Sequence, residues 1–129
     1  IDSQDAISGN LLYDVASLID DVRIKLPRKL KSLLFNYYIS KTIKIKNNKE
    51  KLLAKNDFDI LSVQRNLKIL GIFVRLCKRD NKSIYLKYLP NIWKLLELRL
   101  KNPIFINLRY LLNKAINKKN RKKINFNDN

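Results

Sequence analysis

The chain has 129 residues, 46% of them hydrophobic and 30% charged, and a net charge of +17, which fits one domain with one sizeable core and not a compositionally disordered polymer. With no His and a single Cys, Cys77, it has no internal disulfide and none of the usual zinc ligand sets, so a reducing cytoplasm is the expected setting. No apolar run reaches the ~18–20 residues of a membrane span, and the acidic first turn lacks the basic flank and apolar stretch of a signal peptide.

Only two Gly and three Pro interrupt the chain, which favours long helices over a many-turned β fold. Residues 1–10 read as a short strand or turn and a loop closed by Gly9 and Asn10. Leu11, Leu12, Val15, Leu18, Ile19 and Val22 then recur at three- and four-residue steps, one face of an amphipathic helix. It should end near Leu26, because Pro27 disfavours helix at the residue before it. Pro27 is placed to begin a second helix, with Leu30, Leu33, Leu34 and Tyr37 as its apolar stripe. "KTIKIKNNKEK" loses periodicity and reads as a frayed end and a connection. Asn56 or Asp57 is expected to cap a third helix, "FDILSVQRNLKILGIFVRLCKR", by accepting a backbone N–H.

That third helix is apolar on several sides, as a helix buried in a larger body would be. Gly71 in its middle costs about 1 kcal/mol relative to Ala, and a Gly there often admits another backbone. "RDNKS" is a turn, and "IYLKYL" a short helix stopped by Pro90. "NIWKLLELRL" is a further helix with Trp93, Leu96 and Leu100 on one side. Pro103 starts the last, where Phe105, Leu108, Leu111, Leu112 and Ala115 repeat. The tail "NKKNRKKINFNDN" reads as basic and disordered. The fold class expected is mainly α, with five to six helices after a short strand or loop.

The opening "IDSQDAISGNLLYDVASL" concentrates Asp2, Asp5 and Asp14 at the head of a strongly basic chain. The spacing Asp2-x-x-Asp5-Ala6, Gly9 and Tyr13-Asp14-Val15-Ala16-Ser17-Leu18 resembles a segment of the aminoglycoside phosphotransferase family, small-molecule kinases with a protein-kinase-like fold. The block "QRNLKILGIFVRLCKRDNKSIYLKYLPNIWKLL", residues 64–96, resembles one branch of it, the kinases of cell-wall amino sugars acting on the anomeric hydroxyl of N-acetylmuramate and N-acetylglucosamine.

The resemblance implies that residues 1–116 are a C-terminal lobe segment of such a kinase, incomplete at its N-terminus, followed by a tail over 117–129. It implies ATP and Mg²⁺ as cofactors and an amino sugar as substrate. Asp2 stands at the family's metal-binding aspartate, and Mg²⁺ favours such hard oxygen ligands beside phosphate. Asp14 stands at the buried aspartate that supports the catalytic loop, and Asp5 at a loop position beside it. Arg23, Gln64 and Arg65 are candidate contacts to sugar or phosphate, with a plain surface role equally open to them.

Departures from the family pattern are informative. Ser3 replaces the bulky apolar residue that usually follows the metal aspartate. The family's catalytic loop, His-x-Asp-x-x-x-x-Asn, cannot lie in a chain without His, so no catalytic residue is assigned to this segment. The missing amino-terminal lobe becomes an expected partner, and the chain alone is expected to be inactive. The lack of Met agrees with a partial chain or a processed piece.

Two alternatives stand beside the kinase: a small basic nucleic-acid-binding module and an inactive structural remnant. Clustered cations do bind phosphates, but the charge rests on 20 Lys against 8 Arg, alongside 16 Asn and 16 Ile. That pattern points to an AT-rich coding bias, and nucleic acid is discounted as a partner.

Overall fold

Leu12, Val15, Ala16 and Ile19 fall at helical spacing and are buried together, and they define the first helix, α1 (Leu11–Ile19). The structure, a computed structural model, describes residues 11–42, 47–117 and 121. The strand or loop expected over residues 1–10 lies outside them. The described residues form five α-helices and two 3₁₀ turns and contain no strand: α1, α2 (Arg28–Thr42), α3 (Asn48–Arg79), a 3₁₀ turn (Ser83–Tyr88), α4 (Leu89–Leu100), a second 3₁₀ turn (Pro103–Phe105) and α5 (Ile106–Ala115). The mainly α class read from the sequence is the one observed.

The chain divides into two compact units, Ile1–Gln64 and Arg65–Asn129, with the boundary inside α3. In the first unit, Phe35 and Ile39 of α2 and Ala54 and Phe58 of α3 close over the α1 row. The rings of Phe35 and Phe58 meet edge to face, centroids 5.0 Å apart at 61°, a favoured aromatic geometry. Lys55 reaches over both rings and pairs with Asp59 one turn on, Nζ to Oδ1 at 2.5 Å.

Several boundaries differ from the sequence expectation, each for a local reason. Helix α1 stops at Ile19 rather than near Leu26. The Asp21 carboxylate accepts the Arg23 backbone N–H at 2.9 Å, and such an Asx turn competes with helix continuation. Helix α3 starts near Asn48 rather than at Asn56 or Asp57. Its cap is Asn47, whose Oδ1 accepts the Glu50 N–H at 2.9 Å. Asn-x-x-Glu is the spacing of a capping box, hidden in the lysine-rich stretch read as a connection. Pro90 does not stop a helix; it occupies the first turn of α4, where its missing N–H costs nothing. Asn102 caps the second 3₁₀ turn by accepting the Ile104 N–H.

The apolar stripe expected on α2 is also corrected. Its buried residues are Lys31, Phe35 and Ile39, whereas Leu33 and Tyr37 are more than half exposed and Leu30 is 38% exposed. The helix is rotated from the orientation that apolar content alone selects.

In the second unit, Leu89, Ile92, Trp93, Leu95, Leu96 and Leu100 of α4 are buried, which includes the expected Trp93, Leu96 and Leu100 side. Phe73 of α3 lies against Tyr85 and Tyr88, centroids 4.9 and 5.8 Å away. Leu67, Leu70 and Val74 of the same helix, read from the sequence as apolar on several sides, are half-buried. Helix α5 contributes no buried residue; Phe105, just before it, is buried, and Leu111 is 60% exposed. The "RDNKS" turn forms as expected: Asn81 takes φ 54°, a left-handed conformation that Asn tolerates, and the Lys82 N–H returns to the Leu76 carbonyl at 3.1 Å.

Gly71 admits no neighbouring backbone among the described residues, because a Cβ there would meet none of them within 4 Å. Without a steric reason for Gly, only its helix penalty remains. Gly71→Ala should therefore stabilise the chain by about 0.5–1 kcal/mol, read as a higher urea midpoint at unchanged slope. A destabilised variant would mean the position is constrained by something other than helix propensity.

Candidate functional site

Of the residues that the kinase resemblance singles out, Asp2 and Asp5 lie outside the described residues. Asp14 sits in the first turn of α1, with its side chain exposed. A carboxylate there is favoured by the helix dipole, and an exposed one is open to a neighbouring backbone. It differs from the buried aspartate of the family in being exposed among the described residues.

Arg23 is already engaged. Its Nε and Nη2 donate to the two carboxylate oxygens of Asp21 at 3.1 and 2.8 Å, a bidentate pair on an arginine side chain that is 70% exposed. Gln64 is exposed on α3. Arg65 is half-buried, and its Nε is buried with no hydrogen-bond partner among the described residues. Among the described residues no three His, Cys, Asp or Glu side chains gather to hold a metal ion. No helix there is long and apolar enough to cross a membrane.

What sequence reasoning passed over is a buried polar cluster behind α1. Asp20 is 0% exposed. Its Oδ1 accepts the Lys31 ammonium at 2.7 Å, and its Oδ2 accepts the Ser62 hydroxyl at 2.5 Å. Lys31 also donates to the carbonyl of Ile19 at 2.7 Å, one of the carbonyls a helix end leaves without an intrahelical partner. One ammonium thus neutralises a buried carboxylate and caps the negative end of α1. This explains the rotation of α2: Lys31 must face inward, so Phe35 and Ile39 follow it one and two turns later, and Leu30, Leu33 and Tyr37 turn outward. The sequence carried a signal in Asp20, which follows an apolar row and continues its spacing, but nothing named its partner.

Cys77 is the one thiol of the chain and is buried. Its Sγ donates to the Lys82 carbonyl at 3.5 Å, and burial pushes its pKa up. A protonated, covered thiol is a poor nucleophile, so Cys77 is a packing residue.

Two expectations follow. Lys31→Met strands the Asp20 carboxylate and should cost about 3–5 kcal/mol, measured by urea unfolding. Asp20→Leu combined with Lys31→Met should recover much of that loss, because no charge is then buried; equal damage in single and double variants would contradict the pairing. Cys77 should alkylate far more slowly in the native chain than in urea at pH 8. Because its folded pKa lies above the unfolded value of about 8.5, its contribution to stability is complete below that pH. It is lost as pH rises through the folded pKa. Native and urea rates that coincide would place the thiol at the surface.

No family model matches the chain. Among curated proteins it is 36% identical over 101 residues to the N-acetylmuramate/N-acetylglucosamine kinase of Pseudomonas aeruginosa, covering 75% of this chain and 29% of that protein. The Pseudomonas putida protein of the same name is 33% identical over 95 residues, covering 72% and 28%. The one from Caulobacter vibrioides is 26% identical over 109 residues, covering 84% and 29%. The chain spans less than a third of the length of these relatives. Across most of its own length, then, it resembles a segment of the N-acetylmuramate/N-acetylglucosamine kinases.

Proposed function

We propose that the chain is the C-terminal part of a cytoplasmic kinase that transfers a phosphoryl group from ATP to an amino sugar of the N-acetylmuramate/N-acetylglucosamine class. The observation that carries this reading is the match to three proteins of that name over 72–84% of the chain. The helical composition of the described residues agrees with the helical subdomain of a kinase-like fold.

In this reading Asp2 offers a hard carboxylate ligand to Mg²⁺, the remaining ligands coming from beyond the described residues. The cation, when bound, supplies neutralisation of charge on the phosphates. Asp5 and Asp14 support the backbone around that ligand; Asp14 does so from the positive end of α1, where the helix dipole favours a carboxylate. The Asp20–Lys31–Ser62 cluster holds α1 in place behind it. Gln64 and Arg65 are available toward sugar or phosphate, and Arg23 presents its guanidinium there only by sharing it with Asp21.

Phosphoryl transfer is governed by positioning and charge stabilisation, and this chain has no His with which to form the family's catalytic loop. The 129-residue chain incubated with ATP, Mg²⁺ and either sugar should therefore show no turnover. In a complete kinase carrying this segment, Asp2→Ala should lower kcat by at least about 10²-fold, and Asp14→Ala by roughly tenfold through misplacement. Turnover by the isolated chain would refute the first statement. A complete protein indifferent to Asp2→Ala would refute the assignment of the metal ligand.

A further inference from the structure

Arg121 belongs to the stretch that reads as a basic tail, yet its side chain is only 4% exposed. Its three nitrogens face three different acceptors. Nε donates to the Ile116 carbonyl at 3.1 Å, Nη1 to Glu97 Oε1 at 3.2 Å and Nη2 to Asn113 Oδ1 at 3.1 Å. The guanidinium carbon lies 4.6 Å from the centre of the Trp93 ring, within the range of a cation–π contact. Trp93 is itself 4% exposed. Edge acceptors on three sides and an aromatic face are what a planar, delocalised cation requires, and what a compact ammonium cannot fill.

The sequence adds an independent indication. In a chain biased to Lys over Arg, 20 to 8, position 121 is the one Arg in "NKKNRKKINFNDN", flanked by four Lys within three residues. If charge were all that mattered there, Lys would serve.

We infer that Trp93, Glu97, Asn113 and the Ile116 carbonyl form a guanidinium-binding site that the chain fills with its own Arg121, latching that residue to α4 and α5. The site stands apart from the kinase reading and does not depend on it. Its ligand class is an alkylguanidinium, and its resident ligand is covalently attached.

The test is chemical rescue in the full chain, read through Trp93, the only Trp. Arg121→Ala should shift Trp93 emission to the red, increase its quenching by acrylamide and raise the unfolding equilibrium constant roughly tenfold. Ethylguanidinium at non-denaturing millimolar concentration should reverse the spectral change, and ethylammonium should not. Arg121→Lys keeps the charge and should behave like Arg121→Ala. If Arg121→Ala leaves emission and quenching unchanged, there is no latch. If ethylammonium rescues as well as ethylguanidinium, the site reads charge and not shape, and the inference fails. Should Arg121→Ala not fold, Arg121→Lys decides: a loosened Trp93 supports the site, and a parent-like Trp93 overturns it.

Discussion

The first unit depends on one buried ion pair. Taking a carboxylate and an ammonium out of water costs several kcal/mol per ion, recovered only when geometry and hydrogen bonding are both good. Here Asp20 accepts from Lys31 on one oxygen and from Ser62 on the other, while Lys31 spends a second N–H on the Ile19 carbonyl. The pair therefore acts on three helices. It closes the end of α1, sets the rotation of α2 and joins α3 to both. A purely apolar contact tolerates small rotations, because dispersion and burial have no direction. A buried pair does not, since turning Lys31 away takes the ammonium from both the Asp20 carboxylate and the Ile19 carbonyl.

The same logic recurs in the second unit with a different cation. Most of the excess positive charge lies on exposed lysines, where it is solvated and says little about structure. Among the described residues Lys31, Arg99 and Arg121 are drawn inside, and Lys31 and Arg121 each meet a carboxylate. Lys31 satisfies a carboxylate and a carbonyl, oxygen acceptors that a flexible ammonium reaches well. Arg121 lies over the Trp93 ring and gives each of its three nitrogens a separate acceptor. Each site uses the cation whose shape matches it, and the net charge of the chain conceals both.

These packing devices bear on the proposed kinase role through α1. Asp14 is at its first turn and the Asp20 cluster is at its other end, so the helix that presents the motif aspartate is anchored from behind. The motif carboxylate stays exposed, while the structural one is saturated. Two aspartates six residues apart thus have opposite environments, one open to a partner and one closed to solvent.

The sequence by itself determined the helical class, the α1 apolar row, the Asn81 turn and the relationship to amino-sugar kinases, because spacing, turn chemistry and motif order are local properties of the chain. It also held the Asn47-x-x-Glu50 cap, obscured by surrounding lysines. Only the tertiary structure decided which face of α2 is buried, that Asp20 is structural and that Arg121 has a receptor. Each of these turns on a partner far away in the chain, Lys31 and Ser62 for Asp20, Glu97 and Trp93 for Arg121. A polar residue shows whether it is surface or core only once the group that compensates its lost hydration has been brought beside it.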